Sequence, residues 1–174
     1  MKKILVVVDM QKDFVDGALG TEEAVKIVPA VCDKIRSFDG DIFVTLDTHF
    51  DNYAETAEGR KLPVQHCIKG TAGHELDADV AAALDDKPNT TVEKLTFGST
   101  ALPELIEKAA GNEEFTVELI GLCTDICVVS NALILKAFFP EKEIGVIESC
   151  CAGVTPELHK AAIATMKSCQ INVI

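Results

Sequence analysis

The chain has 174 residues, 48% of them apolar and 25% charged, with a formal net charge of −12. This length suits a single domain over residues 1–174, large enough for a sheet covered on both faces, and the composition is that of an ordinary globular protein. An acidic field repels phosphate backbones and anionic lipid headgroups, so nucleic acid and membrane are excluded as partners and small molecules are left.

The first predicted strand is Ile4–Val8, a short, continuous, β-branched run of the kind buried on both faces. Lys2 and Lys3 before it give the outline of a signal peptide, but Asp9 ends the apolar part after five residues, too few for an export segment. The segment from Thr21 to Phe38 predicts a helix with Val28, Val31, Cys32 and Ile35 on one stripe. Pro29 is expected to mark the start of its regular part. Ile42–Leu46 predicts the second strand. The insert from Asp47 to Gly73 has little periodicity, and inserts of that length in compact domains are usually functional or disordered.

Leu76–Leu84 predicts a short helix and Thr90–Val92 a weak third strand. Leu102–Ala110 predicts a helix with Pro103 in its first turn and Gly111 as its stop. Phe115–Ile120 predicts the fourth strand. Thr124 is expected to cap a long apolar helix that runs to Phe139 and ends at Pro140. Ile144–Ile147 predicts the fifth strand. Thr155 as N-cap and Pro156 in the first turn open the last helix, and Ile171–Ile174 predicts the sixth strand.

Strands alternating with helices predict an α/β fold: a three-layer, doubly wound, six-stranded, mostly parallel sheet with helices on both faces. No apolar stretch approaches a membrane span. Seven cysteines, an odd number without framework spacing, suggest reduced thiols and a cytoplasmic location. No Gly-x-Gly-x-x-Gly follows the first strand, which argues against a dinucleotide site.

Open parallel sheets bind ligands beyond the carboxyl ends of their strands. Asp9 follows the first strand, Asp47 and His49 the second, Glu93 and Lys94 the third. Gly121, Cys123, Thr124, Asp125 and Cys127 follow the fourth. Cys127 falls in the first turn of the next helix, where free amides and the helix dipole favour a thiolate and can hold an oxyanion. Lys94 is expected to lower the thiol pKa further. Asp9 is expected to take the thiol proton and return it to a leaving amine. Taken singly, Cys127 reads as a small core hydrophobe, Asp9 as a loop cap and Lys94 as a solvated lysine. Their joint appearance after separate strands points to a cysteine hydrolase.

Three stretches carry a family resemblance over essentially the whole chain. Val7-Val8-Asp9-Met10-Gln11-Lys12-Asp13-Phe14 resembles the opening motif of the isochorismatase-like cysteine hydrolases. Val92-Glu93-Lys94 with Phe97-Gly98-Ser99 resembles their lysine motif, and Gly121-Leu122-Cys123-Thr124-Asp125-Ile126-Cys127-Val128 their nucleophile motif. Within that superfamily the chain is most similar to nicotinamidase/pyrazinamidase-type amidases. The resemblance implies a catalytic triad of Asp9, Lys94 and Cys127. It also implies a cis Leu122–Cys123 peptide and an oxyanion hole made by the amides of Cys123 and Cys127. It further implies a divalent metal ion held by Asp47, His49 and His66, with a glutamate as fourth ligand, for which Glu58 fits better than Glu55. Zinc, iron and manganese all suit such donors. His74, His159 and the remaining cysteines read as structural or exposed, and relatives are commonly homo-oligomers.

The expected reaction is hydrolysis of a small carboxamide through a thioester, nicotinamide to nicotinate and ammonia, with Phe14 stacking on the substrate ring. Nicotinamidases usually offer an aromatic just before the segment Pro63-Val64-Gln65-His66, where this chain has Leu62. Another small amide, ureido or carbamoyl compound therefore stays open as the alternative. Isochorismate comes next, and a non-catalytic relative that binds a ligand or partner comes last.

Overall fold

Six runs form strands, the central ones rich in branched residues whose side chains pack well on a pleated surface buried on both sides, the two edge strands more exposed. In the computed structural model, which describes residues 1–174, they are β1 (Lys2–Val8), β2 (Asp41–Asp47), β3 (Asn89–Lys94), β4 (Phe115–Leu122), β5 (Glu143–Ala152) and β6 (Asn172–Val173). They make one sheet in the order β3-β2-β1-β4-β5-β6. Every pairing is parallel, so the expected mostly parallel sheet is wholly so. The order reverses between β1 and β4, which makes the gap beyond their carboxyl ends the topological switch point.

Two apolar layers cover the sheet. Ile4, Val6 and Val8 pack with Leu102 and Ile106 of α5 (Leu102–Ala110), Ala132 and Leu135 of α6 (Val129–Phe138), and Ile163 and Met166 of α7 (Pro156–Ser168). Leu5 and Val7 point to the other face. There they meet Phe14 and Val15 of α1 (Lys12–Val15), Val31 and Ile35 of α2 (Glu22–Ser37), and Val80 and Leu84 of α4 (Ala78–Leu84). Residues Ile4 to Val8 have no exposed surface at all, which is why β1 reads as an unbroken apolar run rather than an alternating one.

Three helix starts differ from expectation, the simplest being α4, which begins at Ala78 behind its Asp77 cap rather than at Leu76. Helix α2 is regular from Glu22, with Pro29 inside it and exposed. Thr21 caps it, its hydroxyl accepting from the Ala24 amide at 3.0 Å, so the helix is nucleated upstream and tolerates the missing N–H on its wet face. Thr124 does not cap a helix. Cys123 holds the N-cap position, and Thr124–Val128 winds as one turn of π-helix before α6 begins. The Val128 amide donates to the Cys123 carbonyl at 3.1 Å, five residues back. By contrast, Thr155 caps α7 as expected, accepting from the Leu158 amide at 3.2 Å.

Residues 47–73 are not structureless. A 3₁₀ turn (Tyr53–Glu55) and α3 (Ala57–Lys61) fold this insert over the switch point. No helix is long and apolar enough to cross a membrane.

Candidate active site

Asp9 leaves β1 with a φ of 47°, a left-handed conformation that aspartate tolerates better than branched residues do. Gly121, the neighbour of Val8 across the sheet, has a φ of 116°, and a β carbon there would run into the Val8 carbonyl. Only glycine lets β4 pass this close to the end of β1. The Thr45 hydroxyl donates to Asp9 Oδ1 at 2.7 Å and fixes the carboxylate.

Lys94 is the last residue of β3, level with Asp47 of β2. It is not a solvated lysine: its side chain is buried. Its Nζ lies 2.7 Å from Asp9 Oδ2, 3.3 Å from Asp47 Oδ1 and 3.3 Å from Cys127 Sγ, and donates to the Thr96 carbonyl at 3.2 Å. Asp9, Lys94 and Cys127 thus meet at one point. The Leu122–Cys123 peptide is cis, as the resemblance implied.

The electrostatics run against the expected thiolate. Burial and the neighbouring Asp9 charge push the Cys127 thiol well above its ordinary value, outweighing the downward pull of Lys94. Burial also raises the Asp9 carboxyl, against the ammonium of Lys94 and with the help of Asp47. Burial works to neutralise Lys94, but Asp9, Cys127 and Asp47 surround it and hold it charged. Lys94 Nζ therefore stands between the Asp9 carboxyl and the Cys127 sulfur, and burial acts against charge on both of those partners.

Asp47, His49, Glu58 and His66 form a second cluster, with one ligand atom from each lying within 4.8 Å of all the others. His49 Nε2 is 3.0 Å from Asp47 Oδ2 and 3.7 Å from Glu58 Oε1, and His66 Nε2 is 3.5 Å from both carboxylates. Donors bound at about 2.1 Å around one tetrahedral ion sit about 3.4 Å apart, so the cluster suits a divalent metal. His49 Nε2 is buried, and its 3.0 Å approach to Asp47 lacks hydrogen-bond geometry, a deficit that an ion at this place would relieve. His66 Nδ1 is held by the Val64 carbonyl at 2.8 Å, which turns Nε2 inward. Of the two candidate glutamates only Glu58 joins the cluster, carried there by α3.

Both clusters open into one cavity of about 510 Å³, lined among others by Phe14, Leu62, Phe97 and Cys127. The Isochorismatase domain family matches residues 3–174 of the chain. The chain belongs to the isochorismatase family. A relative from Bacillus subtilis (strain 168), described as an uncharacterized isochorismatase family protein PncA, is 31% identical over 94% of this chain and 93% of its own. A crystal structure of nicotinamidase/pyrazinamidase PncA from the same organism superposes with a TM-score of 0.85 at 27% identity, covering 99% of both chains. The pyrazinamidase of Pyrococcus horikoshii, solved in complex with zinc, gives 0.84 at 26% over 100% of this chain and 99% of that one. The N-carbamoylsarcosine amidase of Thermoplasma acidophilum gives 0.76 at 30% over 99% and 95%. The protein is an isochorismatase-family hydrolase among amide-cleaving neighbours.

In this family member several site-building residues went unnoticed in the sequence. Gln11 donates to the Asp47 carbonyl at 2.9 Å and accepts from the Asp47 amide at 2.7 Å, aligning the loop after β1 with the end of β2. Buried Tyr53 packs edge-on to the rings of His49 at 4.7 Å and His66 at 5.2 Å, and its hydroxyl donates to the Leu62 carbonyl at 2.8 Å. Asn131 donates to the Cys127 carbonyl at 2.8 Å and accepts from the Ser99 amide at 2.9 Å, which ties the turn after β4 to the loop after β3. Gln11 and Ser99 lie inside the quoted motifs. Tyr53 and Asn131 carry no local signal. Two residues at strand ends serve elsewhere: Glu93 pairs with Lys69 at 2.6 Å, and Asp125 accepts from the Val154 amide at 3.0 Å.

Proposed function

We propose that this isochorismatase-family hydrolase cleaves a small carboxamide, nicotinamide being the first candidate, with Cys127 as nucleophile, Asp9 as proton carrier and Lys94 as their electrostatic partner. The supporting observation is one ammonium, Lys94 Nζ, at 2.7 Å from Asp9 and 3.3 Å from the Cys127 sulfur, at the wall of a cavity that also holds four metal donors.

The thiol proton passes to Asp9 as sulfur attacks the carboxamide carbon, so no standing thiolate is required. The amides of Cys123 and Cys127 hold the oxyanion. Asp9 then gives the proton to the departing nitrogen, which leaves as ammonia and a thioester remains. Asp9 next takes a proton from water as it attacks the thioester. The acid is released and the thiol restored. Asp47, His49, Glu58 and His66 would hold a divalent metal, which, when bound, supplies a Lewis-acid anchor for a ring nitrogen of the substrate. Phe14, 5.4 Å from the His66 ring, would stack on that ring.

The test is ammonia release from a panel of amides. Cys127→Ala is expected to abolish turnover with an unchanged circular dichroism spectrum, and appreciable remaining activity would refute the mechanism. One observation favours a carbamoyl or ureido substrate instead: Leu62, not an aromatic, lines the cavity beside the metal donors. A faster release of ammonia from carbamoyl compounds than from nicotinamide would establish that reading. We also propose that the enzyme is cytoplasmic, as its free cysteines suggest, and homo-oligomeric, as the family resemblance implies, which light scattering would check.

A further inference from the structure

The π-helical turn Thr124–Val128 and its N-cap Cys123 carry the two amides assigned to the oxyanion, and the shape of the turn depends on what grips it. Thr124 is fully buried, yet its hydroxyl neither caps the turn nor faces the cavity lining. It bonds instead to His159 Nδ1 at 2.8 Å, a residue of α7 thirty-five positions on. On the far side of that ring, His159 Nε2 lies 3.7 Å from Glu148 Oε1. The bond joins the Thr124 hydroxyl to His159 Nδ1 whichever tautomer the ring adopts.

The backbone geometry is independent support. The link from β5 to α7 squeezes between this turn and α7 at Gly153, where a β carbon would lie 2.8 Å from both Asp125 Oδ1 and the His159 amide nitrogen. The neighbouring Val154 amide donates to Asp125 at 3.0 Å. Two consecutive residues of the turn, Thr124 and Asp125, are therefore clamped from the α7 side. The two amides lie on either side of them, at Cys123 and Cys127.

We infer that His159 is a positioning residue: through the Thr124 hydroxyl it holds the nucleophile turn in the shape that aims both oxyanion amides. This rests on the reading of Cys127 as nucleophile. No residue of α7 lines the cavity, and the nucleophile turn supplies only Cys123, Ile126 and Cys127 to it, so loss of His159 should act on the chemical step more than on binding.

The experiment compares His159→Ala, His159→Asn and Thr124→Val. In the amide that the panel turns over fastest, His159→Ala should lower kcat on the order of tenfold with KM unchanged, since small misplacements of positioned groups cost rate. His159→Asn should recover most of kcat, because its amide reaches the place of Nδ1. Thr124→Val should match the alanine variant, and the double variant should lose nothing more. A parental kcat in His159→Ala, equal losses in the alanine and asparagine variants, or additive losses would each overturn the inference. If His159→Ala does not fold, Thr124→Val, which keeps the side-chain volume, makes the same comparison. If no amide yields ammonia, the amidase reading falls by itself. The inference is then decided by the rate at which iodoacetamide alkylates Cys127, read by mass spectrometry. A slower rate in Thr124→Val and His159→Ala, restored in His159→Asn, upholds it, and equal rates overturn it.

Discussion

His66 shows how much a single side chain depends on its surroundings. Burial lowers its proton affinity, but the carboxylates of Asp47 and Glu58 and the Val64 carbonyl raise it, and in the metal-free protein the balance stands at about 10 against an ordinary 6.5. A raised folded-state value means that the protonated ring stabilises the metal-free fold fully below about pH 6.5. That contribution fades as pH climbs toward about 10. Metal must displace this proton. Zinc binding at pH 7 is therefore expected to release a proton, with affinity rising about tenfold per pH unit across this window. Calorimetry in two buffers of different ionisation heat measures the release, and none at all would contradict the assignment of His66 as a ligand. Asp9, Lys94 and Cys127 teach the same lesson. Their residue types and order were legible along the chain, but not the burial that pushes the Cys127 thiol up against the expected thiolate.

At the level of elements, α5 was readable to the residue, because Pro103 and Gly111 punctuate it and Ile106 keeps its apolar stripe. Strand β3 was underestimated, since Glu93 and Lys94 look like loop residues until β2 pairs with them. Pro29 misled because a proline usually opens or ends a helix, whereas in α2 it sits on the exposed face and the Thr21 cap carries the start. Replacing Pro29 with alanine restores one backbone donor on that face. It is expected to raise unfolding free energy by about 1–2 kcal/mol, net of the entropy that proline removes from the unfolded chain. Urea denaturation would show a higher midpoint at unchanged slope, with activity unaltered. A lower midpoint would mean that the ring packs better than its exposure suggests. The π-helical turn had no sequence signal: Thr124 has the profile of an N-cap, but its hydroxyl bonds His159 across the layer instead.

For the whole molecule, the site stands at the one place where the strand order reverses, with donors from β1, β2, β3 and the turn after β4, closed over by α3. Such a site is assembled by the sheet rather than the metal, so chelation should leave the fold intact. Metal at about a hundredfold over its dissociation constant adds about 2.7 kcal/mol, or about 5–10 °C in Tm for a chain of this size. Thermal unfolding before and after chelation would show that drop with an unchanged far-ultraviolet spectrum, and outright unfolding would make the metal structural. Composition, strand–helix alternation and three motif segments by themselves determined the α/β class, the parallel sheet and the family, and named the residue types of the candidate site, because these are properties of local pattern and order. The tertiary structure alone decided that Glu58 rather than Glu55 faces the histidines, that Lys94 is buried against two carboxylates, that Tyr53 and Asn131 pack and bond around the site, and that His159 meets the Thr124 hydroxyl. These depend on which distant segments share a few ångströms of dry space, and no periodicity along a chain encodes that.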